Sequence, residues 1–164
     1  MKSRAALLMA LIAAMLAPGN ATAATTTATF QVRITIASAC QVTSANDLDF
    51  GSQGVLGANV DAQTTLSVTC TLGTSYNVGL DAGTGAGATV AVRKMTGPAA
   101  ATVNYSLYRD PARLLVWGNT VGTDTVPGVG TGLAISSLVY GRVPAQATPG
   151  PGLYTDTITV TVTF

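Results

Sequence analysis

The seven acidic residues of this 164-residue chain are all aspartate, and there is no histidine and no glutamate. General acid–base catalysis therefore loses its commonest agents. A Ser-His-Asp or Cys-His nucleophile cannot be built, and zinc or copper would lack their usual imidazole ligands. Asp47 and Asp49, two apart around Leu48, offer oxygens of the kind calcium takes. Aspartate at a strand entrance, however, commonly bonds its own backbone, and a turn is expected here. Gly83-Thr84-Gly85-Ala86-Gly87-Ala88 fits the loose dinucleotide pattern, yet the following Thr89 to Val92 are rich in β-branched residues, so no helix N-terminus is expected to hold a pyrophosphate. Lys94 has the chemistry for an isopeptide crosslink, but Arg93 beside it suggests a solvated strand end. Asn104-Tyr105-Ser106 is a formal glycosylation sequon whose Tyr105 fits a strand. Tyr105, Tyr108, Trp117 and Tyr140 could make a sugar-binding platform, and packing in or at the edge of a core is the expected role of such amphipathic rings. These residues predict no catalysis, no cofactor and no metal.

The remaining reactive pair is Cys40 and Cys70. Their compartment is set by the first residues: Lys2 and Arg4, an apolar run from Ala5 to Ala17, then Pro18, Gly19 and Ala21-Thr22-Ala23. This is the pattern of a secretory leader over residues 1–23, with cleavage expected before Ala24. The run is too short to cross a bilayer of about 30 Å as a helix, and no later stretch approaches eighteen apolar residues, so no stable membrane insertion is expected. Export by the Sec route puts both cysteines in an oxidising compartment, where a disulfide is expected. Closing a loop of about thirty residues stabilises a fold by roughly 3 to 4 kcal/mol in the chain-entropy picture.

Losing Lys2 and Arg4 leaves six basic residues against seven aspartates, and a nearly neutral chain with no basic cluster is not built for nucleic acid. Charged residues are 9% of the whole. Threonine, alanine, glycine and valine dominate instead, a composition favouring strands and turns. A mature chain of about 141 residues suits one domain.

Alternation of period two is clearest at the two ends. Ala28, Phe30, Val32, Ile34 and Ile36 alternate with Thr29, Gln31, Arg33 and Thr35, which predicts a long half-buried strand. Ile158, Val160, Val162 and Phe164 alternate with threonines, predicting a strand that runs to Phe164. Between them, strands are expected near Leu48–Gly51, Thr64–Cys70, Tyr76–Asp81, Thr89–Met95, Val103–Tyr108, Leu114–Trp117 and Leu133–Val143. Glycine- and proline-rich loops are expected at Gly83–Gly87, Gly118–Gly132 and Pro144–Gly152. No amphipathic helix is expected in the mature chain. Many short strands at this spacing predict an all-β sandwich.

Several stretches, in order, are similar to the spore coat protein U family, whose members include subunits of archaic chaperone-usher pili. They are Ser38-Ala39-Cys40-Gln41-Val42, Leu48-Asp49-Phe50-Gly51, Leu66 to Thr71, Asn104 to Tyr108, Val116-Trp117-Gly118, Val139 to Pro144 and Gly152 to Val160. The resemblance implies an incomplete immunoglobulin-like β-sandwich, residues 37–164, which lacks a final strand and exposes an apolar groove. It also implies an N-terminal donor strand, residues 24–36. A periplasmic chaperone would lend a strand first, and at an outer-membrane usher the next copy's donor strand would replace it.

The end strands fit that scheme. Ala28, Phe30, Val32, Ile34 and Ile36 are the candidate plugs, and the C-terminal strand with Ile158, Val160, Val162 and Phe164 would edge the acceptor groove. Burying four large plugs contributes on the order of 6 to 12 kcal/mol before ordering costs. The same arm could instead close its own sandwich as a first strand. The resulting expectation is a structural pilus or fimbrial subunit, supporting adhesion or biofilm, that assembles with other copies of itself or related subunits at the cell surface. A spore-coat or matrix protein is the alternative, followed by a carbohydrate-binding tip adhesin, for whose extra receptor-binding domain the chain has no room.

Overall fold

In a computed structural model of the chain, residues 22–164 are described. The expected leader, residues 1–23, lies outside them but for its last two residues. The described chain falls into two units, residues 22–35 and Ile36–Phe164.

In the first unit no residue is assigned to a strand or helix, and every residue is exposed. Phe30, Val32 and Ile34 are 88%, 86% and 85% exposed, so the apolar half of the alternation covers nothing. The strand expected over Ala28–Ile36 is not formed. Alternation sets which side chains share a face, but a strand also needs a ladder partner.

The second unit is all β, with one 3₁₀ turn at Pro98–Ala100. Its strands are β1 (Cys40–Ala45), β2 (Val60–Cys70), β3 (Ser75–Leu80), β4 (Arg93–Thr96), β5 (Thr102–Tyr108), β6 (Val126–Val129), β7 (Ala134–Val143) and β8 (Val160–Thr163). They form two antiparallel sheets, ordered β1-β2-β7-β5-β4 and β6-β3-β8. The all-β sandwich is as expected from the sequence, and so are β2, β3, β5 and β7 within a few residues.

Alternation within these strands builds the core. Leu66, Val68 and Cys70 of β2, Tyr76, Val78 and Leu80 of β3, Val103, Tyr105 and Leu107 of β5, and Val139 and Val143 of β7 are all buried. Trp117 is fully buried, donating Nε1–H to the Val78 carbonyl at 2.8 Å, so neither it nor buried Tyr105 belongs to an exposed aromatic platform. Cys40 and Cys70 are joined in a disulfide directly across the β1–β2 ladder.

Elsewhere the elements differ from expectation. Leu48–Gly51 is in no strand, and Leu114–Trp117 is reduced to one bridge, Val116 to Tyr108. β1 and β6 were not expected as strands. β6 lies inside a loop-like Gly118–Gly132 stretch, and its Pro127 is tolerated because β6 is an edge strand that pairs only with β3. β8 stops at Thr163, leaving Phe164 60% exposed. Arg93, expected in solvent, is fully buried.

Candidate functional site

Among the described residues, β1 pairs with β2 on one side only, and β8 pairs with β3 on one side only. Each sheet therefore ends in a free edge, and these two edges flank the same side of the sandwich. Between and beyond them a cleft lies over the buried core. One cavity of about 690 Å³ runs from Ala45 to Val160, and its floor includes Leu66, Leu80, Tyr105, Leu107 and Val139. A second, of about 560 Å³, continues toward Leu56, Val60, Val103 and Val143. The two share Leu48, Asp49, Phe50, Met95, Leu153 and Tyr154, so they form one groove, apolar at its floor and polar along its rim, reaching the end of β2 opposite Cys70.

The first wall is the segment after β1. Asn46 ends β1 by turning its amide to Thr65: its backbone N–H donates to the Thr65 carbonyl at 3.1 Å and its Nδ2 to Thr65 Oγ1 at 2.8 Å. Asp49 then accepts the Gly51 N–H at 2.7 Å, a tight turn that uses the positive φ of Gly51. That carboxylate serves a turn, as the sequence suggested. The turn sets Leu48 and Phe50 over β7 at Gly141, where an added Cβ would lie 2.5 Å from Leu48 Cδ2 and 2.8 Å from Phe50 Cζ. Phe50 meets Tyr105 edge to face, ring centroids 6.3 Å apart.

The second wall is the run into β8. Thr155 exchanges backbone hydrogen bonds with Thr96 at 2.8 and 3.1 Å. Asp156 accepts from the Tyr105 hydroxyl at 2.8 Å through Oδ2, and from Thr84 N–H and Thr84 Oγ1 at 2.7 and 2.8 Å through Oδ1. Asp81 accepts the Thr159 N–H at 2.9 Å and the Gly83 N–H at 3.0 Å. Side-chain carboxylates thus hold residues 156–159 where a ladder does not. Burial acts to raise the Asp81 carboxyl, but the bonds from Thr159 and Gly83 and the charge of Arg93 outweigh it, and the group lies below its ordinary value. Burial, and then the bond to Asp156, push the Tyr105 phenol well up, so it stays a protonated donor.

Arg93 secures this region from beneath. Its Nε donates to the Asp81 carbonyl at 2.8 Å, Nη1 to Val90 at 2.8 Å, and Nη2 to Leu80 and Trp117 at 3.1 and 2.7 Å. Burial lowers its pKa, yet every acceptor is a main-chain oxygen that favours the charged form. The Gly83–Gly87 loop leads to no helix, and Lys94 Nζ donates to the Ala86 carbonyl at 3.3 Å. Among the described residues, no group of three or more His, Cys, Asp or Glu is placed to hold a metal ion.

Of the expected groove-edge residues, Ile158 and Val160 line the groove, Val162 is half-buried in β8, and Phe164 lies past the strand. Ala28, Phe30, Val32 and Ile34 are exposed in the first unit, and Ile36 is 69% exposed in the second. The wall residues Leu48, Phe50, Met95, Leu153 and Tyr154 were not expected as site residues. Of these, Leu48, Phe50, Leu153 and Tyr154 lie outside regular strands, where alternation carries no signal.

The Spore Coat Protein U domain family matches residues 26–161. The chain is 35% identical over 166 residues to Protein U of Myxococcus xanthus, covering 93% of this chain and 92% of that protein. In fold it is similar to a chain in the CsuC-CsuE chaperone–tip adhesion subunit pre-assembly complex from archaic chaperone-usher Csu pili of Acinetobacter baumannii, with a TM-score of 0.56 and 21% identity. That likeness covers 79% of this chain and 40% of the matched one.

Proposed function

The chain belongs to the Spore Coat Protein U domain family, a family of structural and non-enzymatic proteins, and from that premise we propose that it is a building subunit of a bacterial surface pilus. A Sec leader delivers it to the periplasm. There a chaperone covers the groove, and at an outer-membrane usher the arm of the next copy, residues 24–36, takes the chaperone's place. Phe30, Val32, Ile34 and Ile36 are the plugs, and Val160 and Val162 of β8, with Ile158 just ahead of it, edge the groove that receives the incoming strand.

The observation that carries this reading is the pairing of two unmet needs in one chain. The sandwich ends in two free strand edges beside an open apolar groove. The arm has an alternating apolar face that is exposed. An extended strand laid in the groove supplies what both lack, namely a ladder for the edges and cover for the side chains. The chaperone is supported by the fold likeness to a subunit whose solved complex contains one.

A second reading has its own support. Identity to Protein U over nearly the whole of both chains favours a spore-coat or surface-matrix protein. One experiment separates the two: mature protein against a version lacking residues 24–36, run unboiled in mild detergent and viewed by negative-stain microscopy. A ladder of polymers that requires the arm supports the pilus subunit. A stable monomer that unfolds without the arm means that the arm closes its own sandwich, and the coat reading takes over.

A further inference from the structure

If the arm fills a groove, it must fill a neighbour's and not its own, and the sequence alone does not prevent the latter. For the arm to lie beside the free edge of its own β1, the chain has to reverse between Ile36 and Cys40, because β1 runs from Cys40 toward the groove. Ala37, Ser38 and Ala39 suffice for that, a three-residue hairpin loop of a common kind. Pairing outward from such a loop sets Ile34 against Val42 and Phe30 against Asn46, at the groove that begins at Ala45.

The second unit blocks that turn at its first residues. The Thr71 N–H donates to the Ala39 carbonyl at 2.9 Å, and the Ala39 N–H donates to Thr71 Oγ1 at 2.7 Å. The same hydroxyl lies 3.2 Å from the Ala37 carbonyl and 3.0 Å from the Ala39 carbonyl, either of which takes its proton. The Cys40–Cys70 disulfide is the adjacent pair, one residue after Ala39 and one before Thr71. Ala37 and Ala39 are thereby held against Thr71, immediately before the β1–β2 ladder begins at Cys40. A hairpin would have to strip them from Thr71.

We propose that Thr71 is a positioning residue that holds Ala37–Ala39 out of a turn, so that the arm is offered to a second copy of the chain and not folded into its own groove. This rests on the strand-donation reading above. The disulfide alone cannot do it, since it fixes Cys40 and leaves Ala37–Ala39 free to turn. The backbone bond from Thr71 to Ala39 survives any change of side chain, so the hydroxyl is the part of the device that substitution removes, and losing hydrogen bonds of this kind shifts such a partition roughly tenfold.

The test uses the mature protein with Thr71→Val, which keeps the shape and removes the hydroxyl, and Thr71→Ser, which keeps the hydroxyl. Polymer yield is read by unboiled electrophoresis, and arm burial by trypsin cleavage after Arg33. Thr71→Val is expected to divert material from polymers into monomers that resist trypsin at Arg33, a species raised about tenfold over wild type, while Thr71→Ser behaves as wild type. Altered packing alone would not make a protease-resistant monomer. Wild-type polymer yield from Thr71→Val with no resistant monomer overturns the proposal. If Thr71→Val does not fold, insertion of Asn-Gly after Ala37 supplies the turn directly, and unchanged polymer yield there overturns it equally. A wild-type protein that stays monomeric and is cut at Arg33 tells against strand donation itself. A wild-type monomer protected at Arg33 overturns the role of Thr71.

Discussion

The Tyr105 hydroxyl reaches from β5, in the five-stranded sheet, to Asp156, at the head of the run into β8, and donates a hydrogen bond of 2.8 Å. It is a link between the groove's floor and the wall that carries one free edge. Asp156 also holds Thr84, so a single carboxylate ties three parts of the chain. Tyr105→Phe removes only the hydroxyl, and loss of a hydrogen bond to a charged acceptor costs about 1.5 to 3 kcal/mol. The expected outcome is a lowered denaturation midpoint, checked by urea unfolding, with Asp156→Asn costing more because the Thr84 bonds weaken too.

Replacement of Arg93 is expected to be far more damaging. Arg93→Leu leaves the carbonyls of Leu80, Asp81, Val90 and Trp117 without these donors in a dry site, at about 3 kcal/mol or more. Arg93→Lys should recover little of it, since a compact ammonium cannot span four acceptors that a planar fork reaches. Thermal melting of both variants checks this, and a lysine variant as stable as wild type would falsify the account.

Asp81 sets a dependence on acid. Its carboxyl is depressed on folding, so its contribution is fully present above its ordinary value of 3.8 and is lost as pH falls through the lowered folded value. Stability measured from neutral pH downward should fall off in that acid window. In Asp81→Asn this part of the slope should be missing, with a lower plateau at neutral pH.

The arm and the sandwich are expected to answer separately to mutation. Val32→Asp or Ile34→Asp puts a charge on a side chain that is exposed in the described chain, so the melting temperature should not move. Polymers should be lost, because a charge in an apolar groove is costly to desolvate. A fall in melting temperature instead of in polymer yield would assign the arm to its own sandwich.

The fold was legible where alternation and burial coincide. β2, β3, β5 and β7 each bury alternate side chains, and a period of two reports that directly. It failed at Leu48–Gly51, whose Leu48 and Phe50 pack inward from a turn made by Asp49. It failed also at β6, a strand containing proline and glycine that only its edge position permits. Arg93 was misread because charge was taken as a mark of exposure, and four carbonyls converging from β3, the Val90 turn and Trp117 are visible only in three dimensions. The alternation of Ala28–Ile36 predicted a half-buried strand that the described chain does not form, because alternation sets which side chains share a face and supplies no ladder partner.

Every acceptor of Arg93 is a main-chain oxygen, and this has a bearing on how such sequences diverge. The side chains of Leu80, Val90 and Trp117 take no part in the arginine's bonds; Leu80 and Trp117 are fixed by the core and Asp81 by its own bonds, so it is at Val90 that substitution leaves the anchorage intact as long as the backbone keeps its path. The arginine itself has no such latitude. Distant relatives sharing this fold should therefore keep a guanidinium at this point while a residue such as Val90 drifts, and an alignment guided by structure can find the position when one guided by neighbouring letters cannot.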